Sequence, residues 1–407
     1  MPLADPLSQV LLALSVVIVV GLALGKALRS IGQPPVIAEI IAGVALGPSL
    51  LGSHVSGLLL PLSAAPLLEI VAQLGIVIYM FTVGLELGLE RLGRQTRALV
   101  AVSLGSLVVP FLLGLALAKV LYPRFAGSGA TLTNFALFVG ISLAITAFPV
   151  LARFLSERKL LQTELGSLSL ASAAIGDIVA WCVLAFVVGA IKAEVGVGLR
   201  VIVGTLIYLP VMLFLVRPAV RRLLAHWDSG PLSAPRSGLL LVGLLLSALA
   251  TQYIGIHAIS GAFLWGAILP PQSKPLQTLV GQLQPVVTTL LLPAFFALTG
   301  MRVRIDLLTG ASAWLTCAGI ILVATLGKVS GTFLAARGTG IGTKDALVLG
   351  ALMNTRGLIE LIVLNIGLEL HVISPTLFAM MVVMALATTM MTAPALNWLL
   401  PETRKTT

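Results

Sequence analysis

Residues 169–191 read SLASAAIGDIVAWCVLAFVVGAI, a run in which Asp177 is the sole charged side chain. About 20 apolar residues in a helix cross the hydrocarbon core of a bilayer, so a run of this length with one carboxylate reads as a membrane span. Similar runs follow one another from Leu7 to Leu399, separated by short polar breaks. Hydrophobic residues make up 58% of the 407 positions and charged residues 10%, against roughly half and roughly one quarter in soluble domains. No fold in water could hide that much apolar surface. The chain is therefore expected to be one all-α polytopic membrane domain over 1–407, and not a soluble enzyme or binding module.

Thirteen spans are expected, at about 7–25, 33–51, 64–85, 98–119, 131–153, 165–190, 198–217, 237–253, 257–270, 284–301, 310–335, 345–366 and 373–397. The formal net charge of +10 forms no compact patch, because the basic residues sit in the breaks, and nucleic acid is not an expected partner. With the N-terminus outside, seventeen Lys and Arg, from Lys26 and Arg29 through Arg91, Arg94 and Arg158 to Arg404 and Lys405, fall on the cytoplasmic side. Six fall outside: Lys119, Arg124, Lys192, Arg200, Arg302 and Arg304. Positive charge retains loops in the cytoplasm, so this bias supports an odd number of spans, an external N-terminus and a cytoplasmic C-terminus. Met1–Gln9 carries Asp5 and no basic residue, unlike a secretory signal, and the first helix is expected to stay. Cys182 and Cys317 lie in apolar runs and read as small core residues. His54, His226, His257 and His371 are scattered without metal-ligand spacing. Gly338, Gly340 and Gly342 read as a flexible loop, and the pairs Gly21/Gly25 and Gly43/Gly47 as places of close helix approach.

Three short matches recur in order along the chain. Gly32, Gly43 and Pro48 correspond to Gly255, Gly266 and Pro271 at an offset of 223. GLELGLERL (Gly84–Leu92) resembles GMRVRIDLL (Gly300–Leu308) at 216, and Thr146 of TAFPV aligns with Thr355 of NTRGL at 209. The first copy of the second match ends a span on the inner side and the second copy ends one on the outer side. Two inverted halves joined through the seventh span are expected, the arrangement of alternating-access transporters.

Ionisable and helix-breaking residues within the spans carry the functional signal, since a charge at helix centre costs about 3 kcal/mol even on lenient scales. Asp177 has no basic residue at i±3 or i±4, and Ser172, Ala173, Ala174 and Gly176 leave room beside it. Such a carboxylate can take a proton or, ionised, coordinate a transient monovalent cation. In SLAITAFPVLARF, Pro149 cannot donate to the carbonyl of Ile145 and disfavours helix at Phe148, freeing a carbonyl and the Thr146 hydroxyl at depth. In MNTRGLIELIVLNIG, Asn354, Thr355, Arg356, Gly357 and Glu360 cluster in an otherwise apolar run. Arg356 and Glu360 are spaced to offset each other's burial, and a break at Gly357 would oppose helix-dipole ends across from Thr146. Lys328 either snorkels to the inner surface or acts as counter-ion to Asp177 in the absence of cation. Glu39 and Glu69 carry no assigned step.

On GQPPVIAEIIAGVALGPSLLG (Gly32–Gly52), TAFPVLARFLSE (Thr146–Glu157), IGDIVAW (Ile175–Trp181) and NTRGLIELIVLNIG (Asn354–Gly367), the sequence resembles the monovalent cation:proton antiporter superfamily. The branch is that of bacterial sodium/proton and potassium/proton exchangers and plant endomembrane exchangers, and the resemblance covers nearly the whole chain. It implies a homodimer in a membrane, here a bacterial inner membrane, with H⁺ and Na⁺ or K⁺ as partners besides lipid and with no cofactor. It further implies a scaffold and dimerisation part at about 7–85 and 237–301, a mobile core at about 98–190 and 310–397, and a linker helix at about 198–217. Carried over, the crossing of two broken helices lies at Thr146–Pro149 and Asn354–Gly357, the essential aspartate is Asp177 and the core basic residue Lys328. Many relatives have an acid or amide immediately before that aspartate. Gly176 stands there instead, which implies electroneutral one-for-one exchange. Gating by an attached nucleotide-binding domain is not expected. Two other readings are a sodium-coupled symporter of an organic anion and an intramembrane lipid-modifying enzyme; the latter would call for paired carboxylates or clustered histidines.

Overall fold

The computed structural model describes residues 5–29, 32–59, 65–87, 95–191, 195–226, 233–301, 303 and 305–400. Glu90 and the basic residues Arg91, Arg94, Lys192, Arg302, Arg304, Arg404 and Lys405, used above for the repeat and the sidedness, lie outside them.

The described chain is all-α. Its helices are α1 (Pro6–Arg29), α2 (Pro35–Leu46), α3 (Pro48–Leu59), α4 (Ala65–Leu87), α5 (Thr96–Phe125), α6 (Leu132–Ala144), α7 (Phe148–Glu157), α8 (Glu164–Ile191) and α9 (Val195–Pro210). There follow α10 (Arg217–Ala225), α11 (Ala234–Ile254), α12 (Ala258–Ile268), α13 (Lys274–Val286), α14 (Leu292–Met301), α15 (Gly310–Gly338), α16 (Thr343–Met353), α17 (Leu358–Glu369) and α18 (Pro375–Leu399). π turns at Val211–Val216 and Val287–Leu291 join α9 to α10 and α13 to α14.

Among the described residues, ten helical segments are long and apolar enough to cross a membrane. The expected spans at 33–51, 257–270 and 345–366 fall on shorter pieces: α2 with α3, α12 alone, and α16 with α17. Large apolar side chains such as Phe214, Leu215, Leu22 and Leu315 are exposed on the helices, as suits a chain whose solvent is lipid.

Two compact units form. One lies within Met1–Glu69, Thr96–Ala180 and Phe296–Thr407, the other within Ile70–Gln95 and Trp181–Phe295. In the first, α1 packs on α2, α5 on α6 and α15, and α18 on α15, α16 and α17. Close approach in each unit depends on glycine. A Cβ at Gly43 would overlap the backbone of Ala297, and one at Gly300 the backbone of Ile40, so α2 and α14 touch main chain to main chain. In the second unit a Cβ at Gly84 would overlap the Phe263 carbonyl, and one at Gly266 the Phe81 carbonyl, which locks α4 to α12 in the same way.

Local chemistry sets the breaks. α6 begins where the Thr131 side chain accepts from the Asn134 N–H at 3.2 Å, an N-cap. It stops at Ile145, which is extended (φ −65°, ψ 140°). Pro149 was expected to force Phe148 out of helix; instead Phe148 opens α7 and the non-helical residues are Ile145, Thr146 and Ala147. Pro149 thus sits in the first turn, where a missing N–H goes unused. Ala147 (φ −75°, ψ 83°) forms a tight turn closed by the Phe148 N–H donating to Thr146 O at 2.8 Å. The partner break runs from Asn354 to Gly357, between α16 and α17.

Candidate functional site

The two breaks are bonded to each other. The Ala147 N–H donates to Thr355 O at 3.0 Å, and Thr146 Oγ1 donates to Met353 O at 3.2 Å. Thr355 Oγ1 turns back to Leu352 O at 2.9 Å, and Thr392 Oγ1 of α18 reaches Ala351 O at 3.4 Å. Hydroxyls therefore serve the C-terminal carbonyls of α16.

Those of α6 are served by two buried cations. A helix leaves its last four carbonyls without an intrahelical donor, and here the Ile145 N–H still reaches Ile141 O, so Ser142, Leu143, Ala144 and Ile145 remain. Arg356 supplies three of them: Nη1 donates to Ser142 O (3.0 Å) and Ile145 O (3.4 Å), and Nη2 to Leu143 O (2.6 Å). Lys328 supplies the fourth, donating to Ala144 O at 2.5 Å, and also donates to Ser106 O at 2.9 Å and Thr146 Oγ1 at 2.6 Å. The C-terminal end of a helix dipole is where a cation is stabilised, so both charges complement the end they cap. Lys328 is 1% exposed, which rules out snorkelling, and its three ammonium protons meet three uncharged oxygens.

Arg356 and Glu360 are both fully buried, with Nη1 3.5 Å from Oε1, so the expected i,i+4 pair forms. Glu360 also lies in the first turn of α17, where negative charge is favoured. Thr389 of α18 holds the arginine's backbone from both sides, accepting from its N–H and donating to its carbonyl, each at 2.8 Å. Beside Arg356 and Gly357 a small, partly open cleft is lined by Thr299, Thr389 and apolar residues including Ile40 and Leu361.

Of the residues singled out from sequence, Thr146, Lys328, Thr355, Arg356 and Glu360 are thus joined in one network, with Pro149 and Gly357 bounding its two breaks. Asn354 is buried within it, and its Oδ1 accepts no hydrogen bond among the described residues. Asp177 is 1% exposed near the middle of α8, in the same unit. A Cβ at the neighbouring Gly176 would meet Leu107 at 3.6 Å, an apolar side chain. Cys317 is buried and Cys182 half-buried, both as free thiols. Glu69 is half-buried on α4, whereas Glu39 is buried.

Sequence reading missed Thr389 and Thr392, although three hydroxyls in ATTMMT stand out in an apolar helix. It also gave Arg153, at the cytoplasmic end of the fifth span, only a part in the charge bias, whereas Arg153 is buried, 3.6 Å from Glu39 and 2.6 Å from Glu157. No group of His, Cys, Asp and Glu among the described residues is arranged to hold a resident metal.

The family model for the transmembrane sodium/hydrogen exchanger matches residues 13–400. The chain is similar to the Na⁺/H⁺ antiporter NhaS4 of Synechocystis, 38% identical over 96% of this chain and 97% of that one. It is 37% identical to cation/H⁺ antiporter 20 of Arabidopsis thaliana over 93% of its length and 31% identical to K⁺/H⁺ antiporter 1 of Saccharomyces cerevisiae over 91%. The chain spans 47% of the plant protein and 44% of the yeast one, about half the length of each. A solved structure, the sodium proton antiporter MjNhaP1 of Methanocaldococcus jannaschii, superposes with a TM-score of 0.68 over 99% of both chains at 16% identity, a likeness of fold.

Proposed function

Because the chain belongs to the sodium/hydrogen exchanger family, within the monovalent cation:proton antiporter superfamily, we propose that it exchanges Na⁺ or K⁺ for H⁺ with Asp177 as the shared site. The family is one of transporters, which sets aside the lipid-modifying enzyme, and its cation/proton antiport sets aside the organic-anion symporter.

The observation that carries the reading is the pair of bonded breaks in the same unit as a fully buried Asp177. Broken helices at depth supply polar groups that hydrocarbon cannot otherwise tolerate, and transporters use them to hold ions. Asp177 supplies the titratable charge, Asn354 Oδ1 a free ligand oxygen, and the hydroxyls of Thr146 and Thr355 further ligands. Competition between a proton and a cation for one carboxylate couples the two flows. Lys328 and Arg356 hold the α6 end in place for that exchange. When a cation takes Thr146 Oγ1 as a ligand, Lys328 gives up its hold on that oxygen.

Thirteen traverses in two inverted halves complete the proposal. In its support, the glycines matched at offsets of 223 and 216 make equivalent contacts: Gly43 with the strand of backbone before Gly300, and Gly266 with that before Gly84. The second helix of each half thereby packs on the third helix of the other. The division into a scaffold at 7–85 and 237–301 and a moving core at 98–190 and 310–397 concerns what moves, whereas the two compact units reflect packing in one state. The test is transport by the purified protein in liposomes. Addition of Na⁺ or K⁺ is expected to drive proton movement in wild type and not in folded Asp177→Asn; proton movement retained by that variant would remove Asp177 from the mechanism.

A further inference from the structure

Away from the crossing, three charged side chains meet where α7 approaches α2, Glu39 and Arg153 buried and Glu157 partly exposed. Arg153 Nε lies 2.6 Å from Glu157 Oε1, and Arg153 Nη2 lies 3.6 Å from Glu39 Oε1. Glu157 Oε2 also accepts from the Val36 N–H at 3.4 Å, one of the donors that the start of α2 leaves unused. Glu39 Oε2 is buried and accepts no hydrogen bond among the described residues. Gly21 of α1 stands over this side chain, where a Cβ would lie 3.8 Å from Glu39 Cγ. The charges acting on Glu39 are Arg153 and Glu157, and those acting on Glu157 are Arg153 and Arg158. Arg158 spends its hydrogen bonds elsewhere, donating to Asn397 Oδ1 at 2.6 Å and Gly32 O at 2.7 Å.

Arg153 is shared between two carboxylates, and Arg158 acts on Glu157 but not on Glu39, so Glu39 is the carboxylate left short of positive charge in a place poor in solvent. Breaking or unbalancing a buried pair is costly unless a further charge or hydrogen bond compensates. The 2.6 Å contact commits Arg153 to Glu157 and leaves Glu39 the weaker partner. A single proton on Glu39 would remove the carboxylate charge that Arg153 serves least and give Oε2 a hydrogen to donate.

We propose that Glu39, held by Arg153 and Glu157, is a proton-binding site separate from Asp177, and that its occupancy controls how firmly α7 is tied to α2. Ionised, Glu39 attracts Arg153 and joins the two helices. Protonated, it loses that attraction, and among the described residues the polar ties that remain between the end of α7 and the α2 segment are the Val36–Glu157 and Arg158–Gly32 bonds. The site rests on the antiporter reading only for its consequence, which is that protons tune exchange as well as being exchanged.

The experiment is hydrogen–deuterium exchange of the purified full chain in lipid nanodiscs from mildly acidic to alkaline pH, corrected for the intrinsic pH dependence of amide exchange. Peptides covering 33–46 and 148–158 are expected to gain protection as pH rises in wild type and in Glu39→Asp. In Glu39→Gln they are expected to stay at the acid level throughout. Protection in wild type that does not change with pH overturns the proposal whether or not the variants fold, and so does a Glu39→Gln profile that follows wild type. In liposomes, Glu39→Gln is expected to exchange ions with the loss of one limb of the pH profile, and an unaltered profile would also overturn the proposal. The protection measurement needs no transport, so failure of the Asp177 reading leaves it standing as a separate result.

Discussion

Arg356 and Lys328 do for one helix end what water does for exposed ones, and the cost of removing either follows from how many oxygens it leaves unserved. Truncating one member of a buried, hydrogen-bonded charge pair typically costs about 3–5 kcal/mol. Arg356→Gln removes the charge opposite Glu360 and the fork that reaches Ser142, Leu143 and Ile145. It is expected to lower the thermal midpoint sharply in detergent, with Arg356→Lys failing to restore it, since an ammonium cannot reproduce a planar fork. Full rescue by lysine would show that charge alone matters. Lys328→Ala is expected to lower stability less and to alter apparent cation affinity, because it strips a donor from Thr146; no change in either would make its bonds idle. At this scale Asp177, Lys328 and the Asn354–Glu360 cluster were legible because each is polar within an apolar run. Arg153 was not: ARFLSERK looks like a solvated break, and only the return of α2 brings Glu39 to it.

Helix breaks were legible where proline and glycine coincide with polar residues, at Thr146–Pro149 and Asn354–Gly357. The sequence misplaced the first by a residue or so, because a proline is tolerated inside the first turn and the interruption moves ahead of it. The kink at Gly52 (φ 74°) and the π turns at Val211–Val216 and Val287–Leu291 were not legible. Pro210, Pro218 and Pro285 flank those π turns, but whether a proline bends, ends or widens a helix depends on what packs beside it. Glycine contacts give a test between elements. Gly43→Ala and Gly266→Ala each drive a Cβ into a backbone and are expected to cost about 1–3 kcal/mol, the usual range for overpacking. Gly238→Ala, with nothing within 4 Å, serves as the control. Equal thermal midpoints for all three would mean that α2 and α12 can shift freely from their neighbours.

For the whole molecule, a single carboxylate that holds either one proton or one monovalent cation moves one positive charge each way. Wild-type exchange in liposomes is therefore expected to be insensitive to an imposed membrane potential, and strong voltage dependence would require a second carrier, with Glu360, Glu39 and Glu69 the first to examine. The proposed sidedness is checked by cysteines at Pro2 and Thr407: the first is expected to react with an impermeant reagent from outside and the second only after permeabilisation. Labelling of both ends from one side would contradict an odd number of traverses. Native mass spectrometry from mild detergent is expected to show a dimer. Composition made the membrane class plain, whereas the number of traverses was less so, because α2, α12, α16 and α17 are each too short to announce themselves by length.

The capped end of α6 bears on how such a carrier could be retuned. A potassium-channel filter discriminates through main-chain oxygens, which no substitution can replace without rebuilding the fold. Here the four carbonyls that would play that part are already engaged by Arg356 and Lys328. If Asp177, Thr146, Asn354 and Thr355 form the site, as proposed, discrimination between a small and a large alkali ion is left to their side-chain oxygens, every one of them encoded by a replaceable codon. Ion preference in this architecture is thus a property that drift or design can rewrite one residue at a time, while the framework that carries the ion stays as it is.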